Sequence, residues 1–210
     1  GIVAEVYDLL QKYDNYIIAE TYVKVEHALL GLPGTDLDKV TTVYSHPQGL
    51  MQCEEFLSGH KEWQQISQVN TAVAAKKILE DNDCTHVAIA SEDAAEEYGL
   101  EILKSKINDL DNNTTRFVII TNTRKFVKNA RKMSIVFETA NETGTLYNLL
   151  SHIIYNGLNM NKIESRPIEG RNWEFRFFVD FEGNIDDPPV MNALRGIQEE
   201  AVSIKLLGNY

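Results

Sequence analysis

Apolar positions along the chain follow two periods. At the start, Ile2, Val3, Val6, Leu9 and Leu10 recur at helical spacing. No Ser, Thr, Asp or Asn caps that run and no Met precedes it, so a segment is expected before Gly1. From Tyr16 to His27 the period shortens to two. Ile17, Ala19, Thr21, Val23 and Val25 share one face, which predicts a strand. The stretch LLGLPGTDLDKV supplies Gly, Pro and Asp and predicts a loop. KVTTVYS predicts a second strand, leading into one helix from Pro47 to Gly59 with Ser45 as its cap. WQQISQV predicts a strand, NTAVAAKKILED a helix capped by Asn70 or Thr71, and THVAIAS a short buried strand. SEDAAEEYGL opens on Ser91 and two acids, a first turn suited to the helix dipole. EILKSKI and TRFVIIT predict further strands, so Tyr16 to Thr121 predicts an α/β layered domain.

Residues 122–131, NTRKFVKNAR, are basic and aperiodic, which marks a linker. The pattern then restarts over residues 132–210. Strand MSIVFETA precedes helix TGTLYNLLSHIIYNGL, strand NMNKIESRPI, turn EGRN and strand WEFRFFVDFEG. Helix PPVMNALRGIQEEA and strand VSIKLLGNY complete it. That order is βαββαβ, the ferredoxin-like split βαβ arrangement.

Composition narrows the function. A length of 210 residues suits one large domain or two modest ones, and 43% hydrophobic with 24% charged residues is ordinary for a globular protein. A net charge of -11 argues against a nucleic-acid or anionic-membrane partner, since either needs a basic face, although a few arginines in a cleft still suit a small anion. Cys53 and Cys84 imply no disulfide framework, which makes a reducing cytoplasm the simplest compartment. No apolar run spans a bilayer and no secretory signal opens the chain. The five histidines, His27, His46, His60, His86 and His152, form no pair at metal-ligand spacing, so no metal is expected.

Several short stretches carry candidate chemistry. NNTTRFVII sets Thr114, Thr115 and Arg116 at the mouth of an apolar strand: a loop ending in a strand, or a ligand cradle. In SHPQGLMQC a strand runs into a capped helix whose free N–H groups suit an anion, with His46 and Gln48 as further donors. The alternative is a plain cap with a solvated histidine. Asn70 and Thr71 repeat the device, and crevices at strand ends are where open α/β sheets bind ligands. In the C-terminal part, Glu164, Ser165, Arg166 and Pro167 stand where a strand should be apolar, and Pro167 implies an edge or bulge. Gly144 in NETGTLYNLL lets the backbone approach a ligand closely. Together these suit the ammonium and carboxylate of an amino acid, or else a capped helix beside a salt-bridged edge strand.

SHPQGLMQC, NTAVAAKKI, VAIASEDAAEEYGLEIL and NTTRFVII run in the order and spacing of prephenate dehydratases, which the chain resembles over essentially its whole length. GIVAEVYDLL resembles the helix that follows that family's Asn-Ser-x-x-Gly segment. The stretch from GTLYNLLSHIIYNGLNMNKIESRP through WEFRFFVDFEG to LLGNY resembles the phenylalanine-binding ACT domain attached to those enzymes. The resemblance implies a two-lobed, periplasmic-binding-protein-like catalytic domain, partial over residues 1–121, then a ferredoxin-like βαββαβ ACT domain over residues 132–210. It implies decarboxylating dehydration of prephenate to phenylpyruvate, in phenylalanine biosynthesis, with no cofactor. The Thr of the family's Thr-Arg-Phe motif corresponds to Thr115, a hydrogen-bond donor to the leaving hydroxyl. Arg116 then holds a substrate carboxylate or supports the cleft wall, and Phe117 flanks the ring. Asn70, where the family more usually has Ser, joins Thr71, His46 and Gln48 as substrate contacts.

The ACT resemblance further implies inhibition by L-phenylalanine, bound at a homodimer or tetramer interface. Gly144, Thr145, Leu146 and Tyr147 would lie on one side and Asn159 with Glu164, Ser165, Arg166 and Pro167 on the other. Thr145 stands where the family often has Ala, a hydroxyl that bears on effector preference. With the first lobe built largely upstream of Gly1, the 210-residue chain is expected to show little dehydratase activity alone while still binding phenylalanine. A truncated amino-acid-binding ACT regulator and an arogenate dehydratase are the alternative readings, and a fused upstream chorismate mutase is compatible with either.

Overall fold

The structure, a computed structural model, describes residues 3–210, apart from the side chain of Ala4. The elements in chain order begin with α1 (Ala4–Lys12), β1 (Tyr16–Lys24), β2 (Ala28–Gly31), β3 (Thr42–Ser45), α2 (Pro47–Met51) and α3 (Glu54–Ser58). Next come β4 (Gln64–Ser67), α4 (Thr71–Asp81), β5 (His86–Ala90), α5 (Glu92–Tyr98), β6 (Glu101–Lys104) and β7 (Thr114–Thr121). Then follow β8 (Lys132–Glu138), α6 (Thr145–Tyr155), β9 (Met160–Pro167), β10 (Phe175–Glu182), α7 (Pro188–Glu200) and β11 (Ser203–Asn209). The chain divides into two compact units, Tyr22–Thr115 and Gly1–Thr21 with Arg116–Tyr210.

Within Tyr22–Thr115 a five-stranded sheet runs β4-β3-β5-β2-β6. β3 is parallel to β4 and β5, and β2 is antiparallel to β5 and β6. Alternation divides its side chains between two apolar layers. Leu29, Val43, Val87 and Ile89 pack with Cys53, Leu57 and Trp63 on the α2–α3 side. Leu30, Ala88 and Ala90 pack with Ala74, Ala75 and Ile78 of α4 and with Ala94 and Ala95 of α5. Ile78 and Ile89 are fully buried, each worth roughly 2 kcal/mol of apolar transfer.

Three local expectations change. β2 forms where the Gly, Pro and Asp content predicts a loop. Its four residues are all buried, too short to display a period, and held by partners distant along the chain. β1 ends at Lys24, short of His27. The helix expected from Pro47 to Gly59 is two five-residue helices. The Asp109 carboxylate accepts from Glu54 N and Glu55 N at 3.0 Å each, and so starts a new helix there.

In the second unit the sheet order is β7-β1-β11-β8-β10-β9. β8 is antiparallel to β10 and β11, and β10 to β9, so β11-β8-β10-β9 is the ferredoxin-like βαββαβ order. Met133, Ile135, Phe137, Val179 and Phe181 pack beneath α6 and α7 through Leu149, Ile153, Val190 and Ile197. On the opposite face Val136, Phe178 and Leu207 pack with Ile17 and Leu10. β1 joins β11 in parallel at Ile17 and Gly208, where a Cβ on Gly208 would lie 2.4 Å from the Ile17 carbonyl oxygen. Among the described residues no helix is long and apolar enough to cross a membrane.

Candidate functional site

The parallel strands of the Tyr22–Thr115 unit end in polar groups. β3 ends at Ser45, which is buried and whose hydroxyl donates to Ile89 O at 2.8 Å, tying the end of β3 to β5. His46 then caps α2, its Nδ1 accepting from Gln48 N at 3.1 Å. That bond assigns the ring proton to Nε2, which is left as a donor. Asn70, beyond β4, caps α4 through Oδ1, which accepts from Val73 N at 2.7 Å and leaves its amide N–H groups to other partners. Thr71 begins α4. A Cβ on Gly49 would lie 2.5 Å from Ser45 Oγ, so α2 nests against the end of β3 only because position 49 is glycine, and it would lie at an ordinary contact distance of 3.6 Å from Thr71 Cγ2. The fold therefore brings Ser45, His46, Gly49 and Thr71 together, with Gln48 exposed beside them.

β7 carries Thr115, Arg116 and Phe117. Successive strand residues point to opposite faces, so Thr115 and Phe117 share a face and Arg116 takes the other. Thr115 is exposed with no hydrogen-bond partner for its hydroxyl among the described residues, and Phe117 is 51% exposed. Arg116 is engaged within its own unit. Nε donates to Glu20 Oε2 at 2.6 Å, Nη1 to Asp180 Oδ2 at 2.6 Å and Nη2 to the Tyr210 hydroxyl at 2.5 Å. Lys132 also pairs with Glu20, and the Ser134 hydroxyl donates to Asp180 Oδ1 at 2.5 Å. Burial would raise the Glu20 carboxyl, but the Lys132 hydrogen bond and the Arg116 charge outweigh it and hold it below its ordinary range. Burial and the Asp180 charge push Tyr210 up to about 12.

A pocket of about 290 Å³ opens at the start of α6. Gly144 takes a left-handed φ of 84° there and provides no side-chain cap; Thr145 N donates to Glu142 O at 3.4 Å, which leaves the first-turn N–H groups of Leu146 and Tyr147 at the mouth. Thr145 and Leu146 line it, but the Thr145 hydroxyl is bonded inward, to Ala140 O at 2.8 Å and Glu142 O at 3.0 Å. The far wall is Trp173, Phe175 and Phe177, residues that the sequence pattern did not single out. Their signal was present as alternation in WEFRFF.

β9 pairs Pro167 with Phe175 and Ser165 with Phe177, which sets both on the pocket's face of the sheet. Glu164 and Arg166 take the opposite face, and Arg166 Nη2 lies 2.7 Å from Asp8 Oδ2. Asn159 donates to Glu182 Oε1 at 3.0 Å. The pocket thus gathers Gly144, Thr145 and Leu146 but not Asn159, Glu164 or Arg166 of the same chain. A larger concavity of about 850 Å³ is lined by Glu20, Arg131, Lys132, Glu182, Asp187 and Tyr210, and there Glu20, Glu182 and Asp187 already accept hydrogen bonds. Among the described residues no group of three or more His, Cys, Asp or Glu is arranged to hold a metal ion.

Residues 1–125 match the family model described as prephenate dehydratase. The bifunctional chorismate mutase/prephenate dehydratase of Buchnera aphidicola is 37% identical over 212 residues, covering 100% of this chain and 55% of that protein. The chain thus spans about half the length of such curated relatives. A crystal structure of prephenate dehydratase from Arthrobacter aurescens in complex with L-Phe is 27% identical with a TM-score of 0.90, covering 100% of this chain and 70% of that one. A structure named GqqA, a novel type of quorum quenching acylase, is 31% identical with a TM-score of 0.87, covering 99% of this chain and 76% of that one.

Proposed function

The chain belongs to the prephenate dehydratase family, and on that premise we propose that the protein converts prephenate to phenylpyruvate under feedback control by L-phenylalanine. The observation that carries the reading is the family match over residues 1–125, which spans His46, Gln48, Asn70, Thr71 and Thr115-Arg116-Phe117. One fold hosts different chemistries, so the acylase likeness bears on fold rather than on reaction.

The chemistry asks for hydrogen-bond donors and a dry, shaped cleft. The ring C–O bond breaks and the hydroxyl leaves with one added proton as water. The ring carboxylate leaves as CO2, and its bonding electrons pass into the ring, which becomes aromatic. The balance needs one proton and no oxidant or cofactor. Thr115 donates a hydrogen bond to the departing hydroxyl. A threonine hydroxyl is a weak acid, so it acts by position and by stabilising developing charge. His46 Nε2, the Asn70 amide and the Thr71 hydroxyl serve as donors to the substrate carboxylates, with Gln48 at the rim. Phe117 flanks the ring. Of the two roles open to Arg116 we assign support of the site, because its donors are engaged by Glu20, Asp180 and Tyr210.

Residues 132–210 act in this reading as an ACT regulatory domain, joined through 122–131 to the catalytic segment 1–121. L-Phenylalanine lies in the pocket at Gly144, its ring against Trp173, Phe175 and Phe177 and its carboxylate toward the open first turn of α6. A second copy, in a homodimer or tetramer, adds Asn159 and Glu164, Ser165, Arg166 and Pro167. The reaction is placed in the cytoplasm. The test is phenylpyruvate formation from prephenate, with arogenate as a parallel substrate, at rising L-phenylalanine. Turnover of prephenate that L-phenylalanine suppresses is the expected result. No turnover of either substrate, with L-phenylalanine still bound, would reduce the protein to an amino-acid-binding regulator.

A further inference from the structure

The break between α2 and α3 is held by a residue far along the chain. Asp109 Oδ2 and Oδ1 accept from Glu54 N and Glu55 N at 3.0 Å each, and Asp109 N donates to Gln52 O at 2.8 Å. Gln52 is the last residue of the α2 turn, its own N–H bonded to Gln48 O at 3.0 Å. Its side-chain Oε1 lies 2.8 Å from His27 Nε2. His27 is 6% exposed, and its N–H donates to Asn108 Oδ1 at 3.2 Å. The C-terminal end of α2 is therefore fixed from below by Asp109 and from the side by His27.

The chain on either side of Asp109, which leads on to Thr115, is anchored by bonds of its own. Ile107 N donates to His27 O at 2.9 Å, and Asn108 Nδ2 to Leu110 O at 2.8 Å. Asn113 N donates to Leu110 O at 3.3 Å, and Asn113 O accepts from Val25 N at 2.8 Å. Bonds at short intervals thus run from Ile107 and Asn108, which precede Asp109, to Asn113, which precedes β7. A short helix capped by a charged carboxylate with both oxygens is held more firmly than by a neutral cap.

We propose that Asp109 is a positioning residue, one that holds α2, with His46 and Gln48, in fixed register with the segment that ends at Thr115 in the same unit. As a claim about the reaction this rests on the dehydratase reading above; as a claim about geometry it does not. Asp109 touches no reacting atom in this account. It acts through Gln52 at one end and through Asn108 to Asn113 at the other. Misplacing groups by about 1 Å far from the chemistry can cost on the order of 100-fold in rate.

The experiment compares Asp109→Ala, Asp109→Asn and Asp109→Glu with the unsubstituted protein by amide hydrogen exchange and by prephenate kinetics. In Asp109→Ala, exchange is expected to quicken at least about tenfold both at 46–52 and at 113–115, while 71–81 stays unchanged. kcat is expected to fall about tenfold or more with KM within about twofold, since the loss is of alignment rather than of a substrate contact. Asp109→Asn, which keeps one acceptor oxygen, should fall between, and keeps the test decisive if Asp109→Ala does not fold. Asp109→Glu should restore part of kcat. Faster exchange confined to Glu54 and Glu55, with kcat unchanged, would mean a local helix cap and overturn the proposal. If the unsubstituted protein turns over no prephenate, the dehydratase reading fails, and joint or separate loss of protection at 46–52 and 113–115 still decides the coupling.

Discussion

Arg116 Nη1 lies 2.6 Å from Asp180 Oδ2, while its Nε lies 2.6 Å from Glu20 Oε2. The arginine between Thr115 and Phe117 thereby cross-links β7, β1 and β10. Removing it leaves two mostly buried carboxylates without their shared cation. Arg116→Ala is expected to lower the unfolding free energy by about 3 kcal/mol. Arg116→Lys should recover only part of that, because one ammonium cannot reach Glu20, Asp180 and Tyr210 together. Urea unfolding measures both. A loss of less than about 1 kcal/mol would equate the cluster with ordinary surface ion pairs.

The same cluster fixes how stability responds to acid. Glu20 sits below its ordinary value near 4.5, burial being outweighed by Lys132 and Arg116. A carboxyl depressed in the folded state stabilises fully above its unfolded pKa, and that contribution is lost as pH falls through the folded one. Stability should therefore decline below roughly pH 4.5. Glu20→Gln should show lower stability at neutral pH and a flatter acid limb. Identical acid limbs in the two proteins would remove Glu20 from the explanation.

Thr115 is exposed on the face of β7 that it shares with Phe117. Thr115→Val keeps the shape and loses the hydroxyl. If the hydroxyl donates to the leaving group, kcat should fall about 100-fold. Thr115→Ser should lose much less, and the melting temperature should hold because little packing is removed. Unimpaired turnover by Thr115→Val would take this hydroxyl out of the mechanism.

At the α6 pocket, the inward bonds of Thr145 separate two roles. Thr145→Ala is expected to cost about 1 kcal/mol of stability, from the bonds to Ala140 O and Glu142 O. Calorimetric preference between phenylalanine and tyrosine should then stay within about twofold, the hydroxyl being turned away from a ligand. Trp173→Ala should weaken phenylalanine by about tenfold through lost aromatic contact. A reversal, with Thr145→Ala changing the preference and Trp173→Ala leaving affinity intact, would relocate the ligand.

The ferredoxin-like unit was legible because each element is long enough to show one period, as in the alternation from Phe175 to Phe181. The cap at Asn70 was legible because it bonds within three residues of itself, whereas the cap expected at Ser45 falls at His46, the Ser45 hydroxyl being spent on Ile89 O, 44 positions away. β2 was not, since four buried residues carry no period and their partners come from β5 and β6. Nor was the break after α2, whose cause lies at Asp109. The partners of Arg116 were hidden for the same reason, lying 96, 64 and 94 positions away. Phe175 and Phe177 were visible as aromatics, but only the pairing of β9 with β10 tells which face of the sheet each side chain takes.

The pairing of Ile17 with Gly208 has a consequence for the order in which the protein can be made. On the ribosome, β1 emerges long before β11, one of the two strands it will lie between. The residues between, Tyr22–Thr115, bring with them a complete sheet and two apolar layers, and so can settle first. β7 follows and can join β1 earlier, but the sheet is complete only with β11, a closure of very long range and correspondingly slow. Until then Ile17, otherwise buried, lacks the cover of Leu207. A nascent chain stalled before Gly208 would therefore offer a chaperone the early strand, and its release would mark the arrival of the late one.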